Sequence, residues 1–263
     1  MKPVKVLCIG GSDSSGGAGI QADLKAVSAC GCYGLSVITA ITAQNTLGVQ
    51  DIYPVSPKFV AQQLESVLSD IGADAVKIGM LLTSGVVQVV VKKIKEYKIG
   101  KVVVDPVMIA KGGRSLMQNK AREVLVKKLL PLTFVVTPNI PEAQNLAQMK
   151  IKSIDEMKKA AALIHNLGAK NVLIKGGHLP GAKKSGAIDI LYDGDKYYEF
   201  SEKWIDTPNT HGTGCTYASA LAAEIARGKN IIAAVEKAKK MVTDAIKNSI
   251  KIGAGHGPVN VSF

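Results

Sequence analysis

Val4-Lys5-Val6-Leu7-Cys8-Ile9 runs into Gly10-Gly11-Ser12-Asp13-Ser14-Ser15-Gly16-Gly17-Ala18-Gly19-Ile20-Gln21-Ala22-Asp23, and this stretch decides the fold class. The apolar, β-branched run over 4–9 predicts a strand, with Lys5 its one polar residue. The glycine and serine run is a turn, and a helix over 18–29 begins inside it. Two or three glycines suffice for a tight strand-to-helix turn, yet five stand between Gly10 and Gly19. Small residues over so long a stretch let backbone approach a ligand closely, while helix-start amides serve its anionic or polar groups. Gly17-x-Gly19-x-x-Ala22 also satisfies the relaxed dinucleotide-binding pattern. That pattern asks for an acid at the end of the second strand to hold a ribose, and the sequence there reads Ala43-Gln44-Asn45. The missing carboxylate argues against a dinucleotide-dependent oxidoreductase.

The strand-then-helix unit recurs to about residue 175. Strands are predicted over 4–9, 35–42, 75–78, 102–104, 134–137 and 171–174, and helices near 18–29, 57–71, 84–97, 120–130, 142–148 and 154–167. Strands separated by helices imply a mostly parallel sheet covered on both faces. The rhythm breaks once, where 188–192 and 196–200 flank Asp193-Gly194, a hairpin signal for an antiparallel pair. A loop over 206–216 and helices over about 217–226 and 231–250 follow. With no linker, repeat or low-complexity tract, one domain over residues 1–263 is expected.

At 263 residues and 47% hydrophobic content the chain buries a sizeable core. No apolar run approaches the roughly 18 residues that span a bilayer, and the first residues lack the long apolar region of a signal peptide. A cytoplasmic protein with no membrane partner is expected. Cys8, Cys30, Cys32 and Cys215 lack the paired spacing of a zinc ribbon, so reduced thiols are expected. His165, His178, His211 and His256 share no metal-ligand spacing, and zinc is not expected. The net charge of +12 is carried by lysines on polar helix faces, with only three arginines and 5% aromatics. That is a solvated surface that attracts anions such as nucleotides and phosphate esters, not a nucleic-acid interface.

A second glycine turn, Asp206-Thr207-Pro208-Asn209-Thr210-His211-Gly212-Thr213-Gly214-Cys215-Thr216, leads directly into a helix. Its amides over 212–215 would converge at the helix start as a cavity for a transferring phosphoryl group. A cysteine there has its thiolate favoured, and so Cys215 is a candidate base or nucleophile. A compact turn around a small buried residue is the alternative reading of Gly-Thr-Gly-Cys alone. The presence of two ligand-type glycine turns, as a two-substrate enzyme needs, favours the first. The run from Gly176 to Lys183 approaches the P-loop pattern but lacks its Gly-Lys-Ser/Thr ending.

Six motifs then fall in order: the run over 11–23, Thr-Ala-Gln-Asn-Thr (42–46), Asp-Pro-Val-Met (105–108), Thr-Pro-Asn-x-x-Glu-Ala (137–143), Ile-Lys-Gly-Gly-His (174–178) and the loop over 206–216. Together they resemble the hydroxymethylpyrimidine and phosphomethylpyrimidine kinases of the ribokinase superfamily, over essentially the whole chain. The terminal Gly-His-Gly-Pro-x-Asn (255–260) belongs to the same resemblance, with Val261 where members often carry histidine. The resemblance implies a three-layer α/β/α ribokinase-like fold, a central mostly parallel sheet with a small antiparallel hairpin, ATP and Mg2+ as cofactors, and a homodimer. It implies phosphorylation first of 4-amino-5-hydroxymethyl-2-methylpyrimidine and then of its monophosphate.

Roles follow on the matching positions. Cys215 is expected to take the hydroxymethyl proton while the amides of Gly212, Thr213 and Gly214 stabilise the γ-phosphoryl charge. Asp105 and Glu142 are candidates to hold magnesium, although Glu142 is also an ordinary first-turn helix acid. Gln44 offers a planar donor and acceptor pair that suits a ring nitrogen beside an exocyclic amine. Gly11 is expected at the acceptor pocket with Met80 and Val107, for which core packing is the alternative; Asp23 is a further substrate contact or simply a polar residue on the first helix, and Lys111 either meets the phosphate of the monophosphate or is a solvated loop lysine. Asn139, Lys175 and Thr213 are expected at the nucleotide. Pyridoxal kinases share the Gly-Thr-Gly-Cys ending and are the nearest alternative. A catalytically silent pyrimidine-phosphate sensor is the other.

Overall fold

The protein is described by a computed structural model over residues 2–109 and 113–261; Lys111 lies outside the described residues. Nine strands form one sheet among these residues: β1 (Lys5–Asp13), β2 (Tyr33–Asn45), β3 (Gly48–Pro54), β4 (Ala75–Ile78), β5 (Val102–Val104), β6 (Val135–Val136), β7 (Asn171–Ile174), β8 (Ala187–Tyr192) and β9 (Tyr197–Glu202). The order across the sheet is β3-β2-β1-β4-β5-β6-β7-β8-β9. Strands β2, β1, β4, β5, β6 and β7 pair in parallel, while β3, β8 and β9 add antiparallel edges. The helices are α1 (Gly19–Ala29), α2 (Pro57–Asp70), α3 (Ser84–Glu96), α4 (Asn119–Val124), α5 (Ile140–Ala147), α6 (Ile154–His165), α7 (Ala182–Ser185), α8 (Thr213–Ala226) and α9 (Ile231–Lys247).

Period-two alternation builds three layers. Leu7, Ile9, Val76, Ile78, Val102 and Val104 point to the face covered by α2, α3, α5 and α6. Val6, Cys8, Ala75, Val103 and Val135 point to the opposite face, covered by α1, α8 and α9. Both faces of the central strands are therefore dry, and the short runs at β4, β5 and β7 are nearly continuous in apolar residues, with β5 all valine. Two residues depart from this: Asn171, at the start of β7, is buried and donates to the Phe134 carbonyl, and Lys77, in β4, lies on the α1 and α8 face with its side chain fully buried.

Two departures from sequence expectation matter for the site. Strand β1 does not end at Ile9 but runs on through the glycines to Asp13, shifting register against β2 between Gly10 and Gly11. Strand β3 was not expected; it is an edge strand with most side chains exposed, so it carries no buried apolar alternation.

The sheet order reverses between β2 and β4, on either side of β1. In an open α/β sheet, ligands bind outside the carboxyl ends of strands at such a switch point. Gly10, Gly79 and Met80 meet there: a Cβ added to Gly10 would lie 3.8 Å from the Met80 amide and 3.9 Å from the Gly79 Cα.

Candidate active site

The two glycine turns form one structure. Gly212 precedes α8 with φ 79°, a conformation that L side chains avoid, and a Cβ there would collide with the Gly17 carbonyl oxygen. Helix α8 begins at Thr213, four residues earlier than the sequence pattern suggests, with no side chain capping it. The first-turn amides of Gly214 and Cys215 have no carbonyl one turn back in their own helix, which leaves them free for an anion. The Thr213 hydroxyl donates to the Thr210 carbonyl at 2.8 Å and closes the turn.

Gly214 is the meeting point with the charged cluster. A Cβ on it would lie 3.3 Å from Lys175 Nζ and 3.5 Å from Asp105 Oδ2. Lys175, after β7, donates to Asp105 Oδ1 at 2.7 Å, and Thr137 Oγ1 donates to the same oxygen at 3.0 Å. Burial raises the Asp105 carboxyl, but Lys175, Lys77 and the hydrogen bonds outweigh it and hold it below the usual carboxylate range. Burial of Lys175 disfavours its charge, yet Asp105 and Glu142 keep it raised.

Glu142 closes a capping box on α5: it accepts from the Asn139 amide at 2.9 Å, and Asn139 Oδ1 accepts from the Glu142 amide at 2.9 Å. Glu142 is therefore a first-turn acid of α5, as the alternative reading has it, and it also caps that helix. Burial also pushes this carboxyl up to about 7, Lys175 pulling it down and Asp105 pushing it further up. Two carboxylates that repel each other in a buried site fit a cation, but among the described residues no group of three or more histidine, cysteine or acidic side chains could hold one. Asp105 and Glu142 would supply part of a magnesium shell, completed by phosphate oxygens and water.

On the acceptor side, Asp13 organises the first turn. It accepts from the Ser15 amide and hydroxyl and from the Ala18 amide, each at 2.8 Å, and pairs with His211 Nε2 at 2.8 Å. Burial pushes Asp13 up, but the bonds from His211 and Ser15 hold it down at about 2. His211 Nε2 also lies 3.2 Å from Gln44 Nε2, and Thr42 Oγ1 donates to Gln44 Oε1 at 3.1 Å. The amide of Gln44 is thus held between two side chains, as a recognition group needs. Met80 packs with Ala40, Leu116 and Val107 in a small apolar cluster. Gly11 lines the same place, since a Cβ there would sit 3.0 Å from Met80 Sδ.

Two expectations are corrected. Asp23 is fully buried and pairs with Lys77 Nζ at 2.7 Å and Ser219 Oγ at 2.8 Å, so it braces the interior instead of facing an acceptor. Cys215 is half-buried and accepts a bond from the Gly19 amide, but its thiolate is not favoured. Burial outweighs the helix start and the pull of Lys77, and pushes the thiol up to about 11.

Sequence reasoning missed Lys77, Asp13 and Thr137. A lysine inside a four-residue central strand was the available signal for Lys77, since a lysine is almost never fully buried without a partner. The role of the terminal segment is now visible. The Gly257 carbonyl accepts from the His211 amide at 3.1 Å and the Val259 amide donates back at 3.0 Å, bracing the second glycine turn.

A three-layer sandwich with an uncapped anion cup at its switch point, beside a lysine and two carboxylates, defines a small-molecule kinase. The phosphomethylpyrimidine kinase family model matches residues 13–260, and the chain belongs to that family. It is 46% identical over 260 residues to the hydroxymethylpyrimidine/phosphomethylpyrimidine kinase of Bacillus subtilis, covering 99% of this chain and 95% of that one. It is 51% identical over 255 residues to the thiamine biosynthesis bifunctional protein ThiED of Geobacter sulfurreducens, covering 97% of this chain but spanning about half of that relative, 51%. Among solved structures, the ADP complex of Bacillus subtilis pyridoxal kinase superposes with a TM-score of 0.91 at 41% identity, covering 98% of this chain and 97% of that one.

Proposed function

We propose that the chain transfers the γ-phosphoryl group of ATP to 4-amino-5-hydroxymethyl-2-methylpyrimidine and then to its monophosphate, for thiamin biosynthesis. The observation that supports this best is the pairing of an uncapped amide cup over 212–215 with a fixed glutamine, Gln44, across the joined glycine turns. Gln44 pairs with the aminopyrimidine edge, and Met80, Val107 and Gly11 bound the ring. The amides of Gly212, Thr213, Gly214 and Cys215 receive the transferring charge; Asn139, Lys175 and Thr213 hold the nucleotide phosphates. Magnesium at Asp105 and Glu142 would offset phosphate charge. Ionised Cys215 takes the hydroxymethyl proton. Lys111, from its place in the glycine-bearing sequence Lys111-Gly112-Gly113, would meet the phosphate of the monophosphate. One cytoplasmic kinase domain over residues 1–263, acting as a homodimer, completes the reading.

The likeness to a pyridoxal kinase supports a second reading, in which pyridoxal is the acceptor. ADP release measured with magnesium and each of the three acceptors decides. Turnover of the hydroxymethylpyrimidine and its phosphate well above that of pyridoxal is expected; the reverse order would establish the second reading. No release with any acceptor would leave a binding protein.

A further inference from the structure

The least explained group in the protein is the buried ion pair Lys77–Asp23. Its exposure is 1% and 0%, and the Asp23 Oδ2 atom has no hydrogen-bond partner. An ammonium brings three donors, of which Asp23 takes one. A pair this poorly satisfied is a weak source of stability, since desolvation offsets its attraction. Its position is more telling. Helices α1 and α8 pack in register: the Gly19 amide reaches the Cys215 sulfur, and one turn deeper Asp23 receives the Ser219 hydroxyl at 2.8 Å. Gly19 and Asp23, like Cys215 and Ser219, are four residues apart and share a helix face. Lys77 enters this seam from β4, with its Nζ 3.0 Å from where a Cβ of Gly79 would stand, at the mouth of the switch point.

We propose that Lys77, fixed by Asp23, is a positioning residue for Cys215, setting one positive charge in the α1–α8 seam one turn from the sulfur so that less free energy is needed to form the thiolate that meets the acceptor. The inference rests on the kinase reading and gives the thiol its electrostatic partner. The thiolate takes the hydroxymethyl proton as the new O–P bond forms and the bond to ADP breaks. The sulfur is left as a thiol, which ionises again before the next turnover. The charged groups acting on it are Lys77 from β4, Asp23 from α1, Asp105 after β5 and Lys175 after β7, and the pull of Lys77 exceeds the push of either acid. Without Lys77 the sulfur would keep its burial and lose its strongest compensation.

The test reads the sulfur directly. Alkylation by iodoacetamide, followed by mass analysis of the Cys215 peptide between pH 7 and 11, gives the ionisation midpoint without any need for turnover. Lys77→Met/Asp23→Asn replaces the pair by neutral groups of similar shape, and Lys77→Met alone, in which Asp23 takes up a proton, removes the same charge by a second route. Either folded variant should show a higher midpoint, with the rate at a fixed pH falling about tenfold for each unit of the rise. The turnover number on the alcohol acceptor should fall with KM unchanged, and more than that on the monophosphate. An unchanged midpoint in a folded variant overturns the proposal. A raised midpoint in the variants, beside a wild type that releases no ADP, would instead overturn the kinase reading and leave the charge placement standing.

Discussion

Removing Lys175 separates the electrostatics of the charged cluster from its packing. The side chains of Lys175 and Asp105 are 13% and 4% exposed and meet at 2.7 Å. Lys175→Met keeps most of the volume and leaves a buried carboxylate facing Glu142 without its cation. Removing one partner of a buried pair typically costs about 3–5 kcal/mol, and the upper half of that range is expected because Asp105 is nearly sealed. The cost must depend on pH. In the wild type Asp105 is held low, so its contribution is present above the ordinary carboxylate pKa and is lost as pH falls. In the variant only Lys77 and the Thr137 hydrogen bond are left to oppose burial, so Asp105 rises, the chain binds a proton on folding and it loses stability as pH rises. The difference between the two proteins should be small near pH 5 and full at pH 8. Urea denaturation in magnesium-free buffer at both values measures it, and Lys175→Met/Asp105→Asn should recover most of the loss at pH 8. A penalty equal at the two pH values, or a double variant no better than the single one, would refute the ion-pair account.

Three further outcomes are expected. Cys215→Ala should slow phosphorylation of the hydroxymethylpyrimidine by about 10²-fold or more, the usual worth of a general base, and that of the monophosphate much less, because a phosphate oxygen is already ionised; equal losses in steady-state kinetics would remove the base assignment. Gly212→Ala places a side chain at φ 79° against the Gly17 carbonyl, costing about 1–2 kcal/mol in backbone strain alone. Both acceptors should lose about 100-fold in turnover, as an ångström-scale misplacement of the cup implies; near-normal turnover on either acceptor would contradict the joined-turn geometry. Asp13→Asn removes a carboxyl held at about 2 against an ordinary 3.8, worth about 2 kcal/mol at pH 7. That contribution exists above the ordinary value and fades as pH falls through about 2, so wild type and variant should converge in acid denaturation; a gap that persists at pH 2 would count against it.

Local chemistry explains what was legible. Strands β4, β5 and β7 were read to the residue because runs such as Val102-Val103-Val104 are buried on both faces, and α2 and α3 begin where expected, at Pro57 and Ser84, behind the capping side chains of Ser56 and Thr83. Strand β3 was hidden because an exposed edge places no demand on side-chain alternation. The true start of α8 was hidden because Gly212 and Gly214 read as loop, although the first of them is the left-handed residue that permits the turn. Motif order brought Asp105, Lys175, Gly214 and Cys215 to one place. It said nothing about Lys77–Asp23 or His211–Asp13, whose partners lie 54 and 198 residues apart and leave no local trace.

The corrected state of Cys215 follows from a competition that sequence alone does not weigh. A helix start favours a thiolate by the field of a few amides, an effect worth roughly 0.3–1 kcal/mol at an exposed site. Desolvation acts on the same sulfur, and here it wins, leaving the thiol at about 11. The same packing that raises the thiol also draws the two glycine turns together, since Gly212 lies against Gly17 and the Gly19 amide reaches the sulfur. A looser seam would ionise Cys215 more readily but would let water into the cup, where the amides of α8 would lose most of their hold on a phosphoryl charge. A buried ammonium eases that conflict: it offsets part of the desolvation without opening the site, which is how a lysine in the central strand bears on the chemistry at the strand ends.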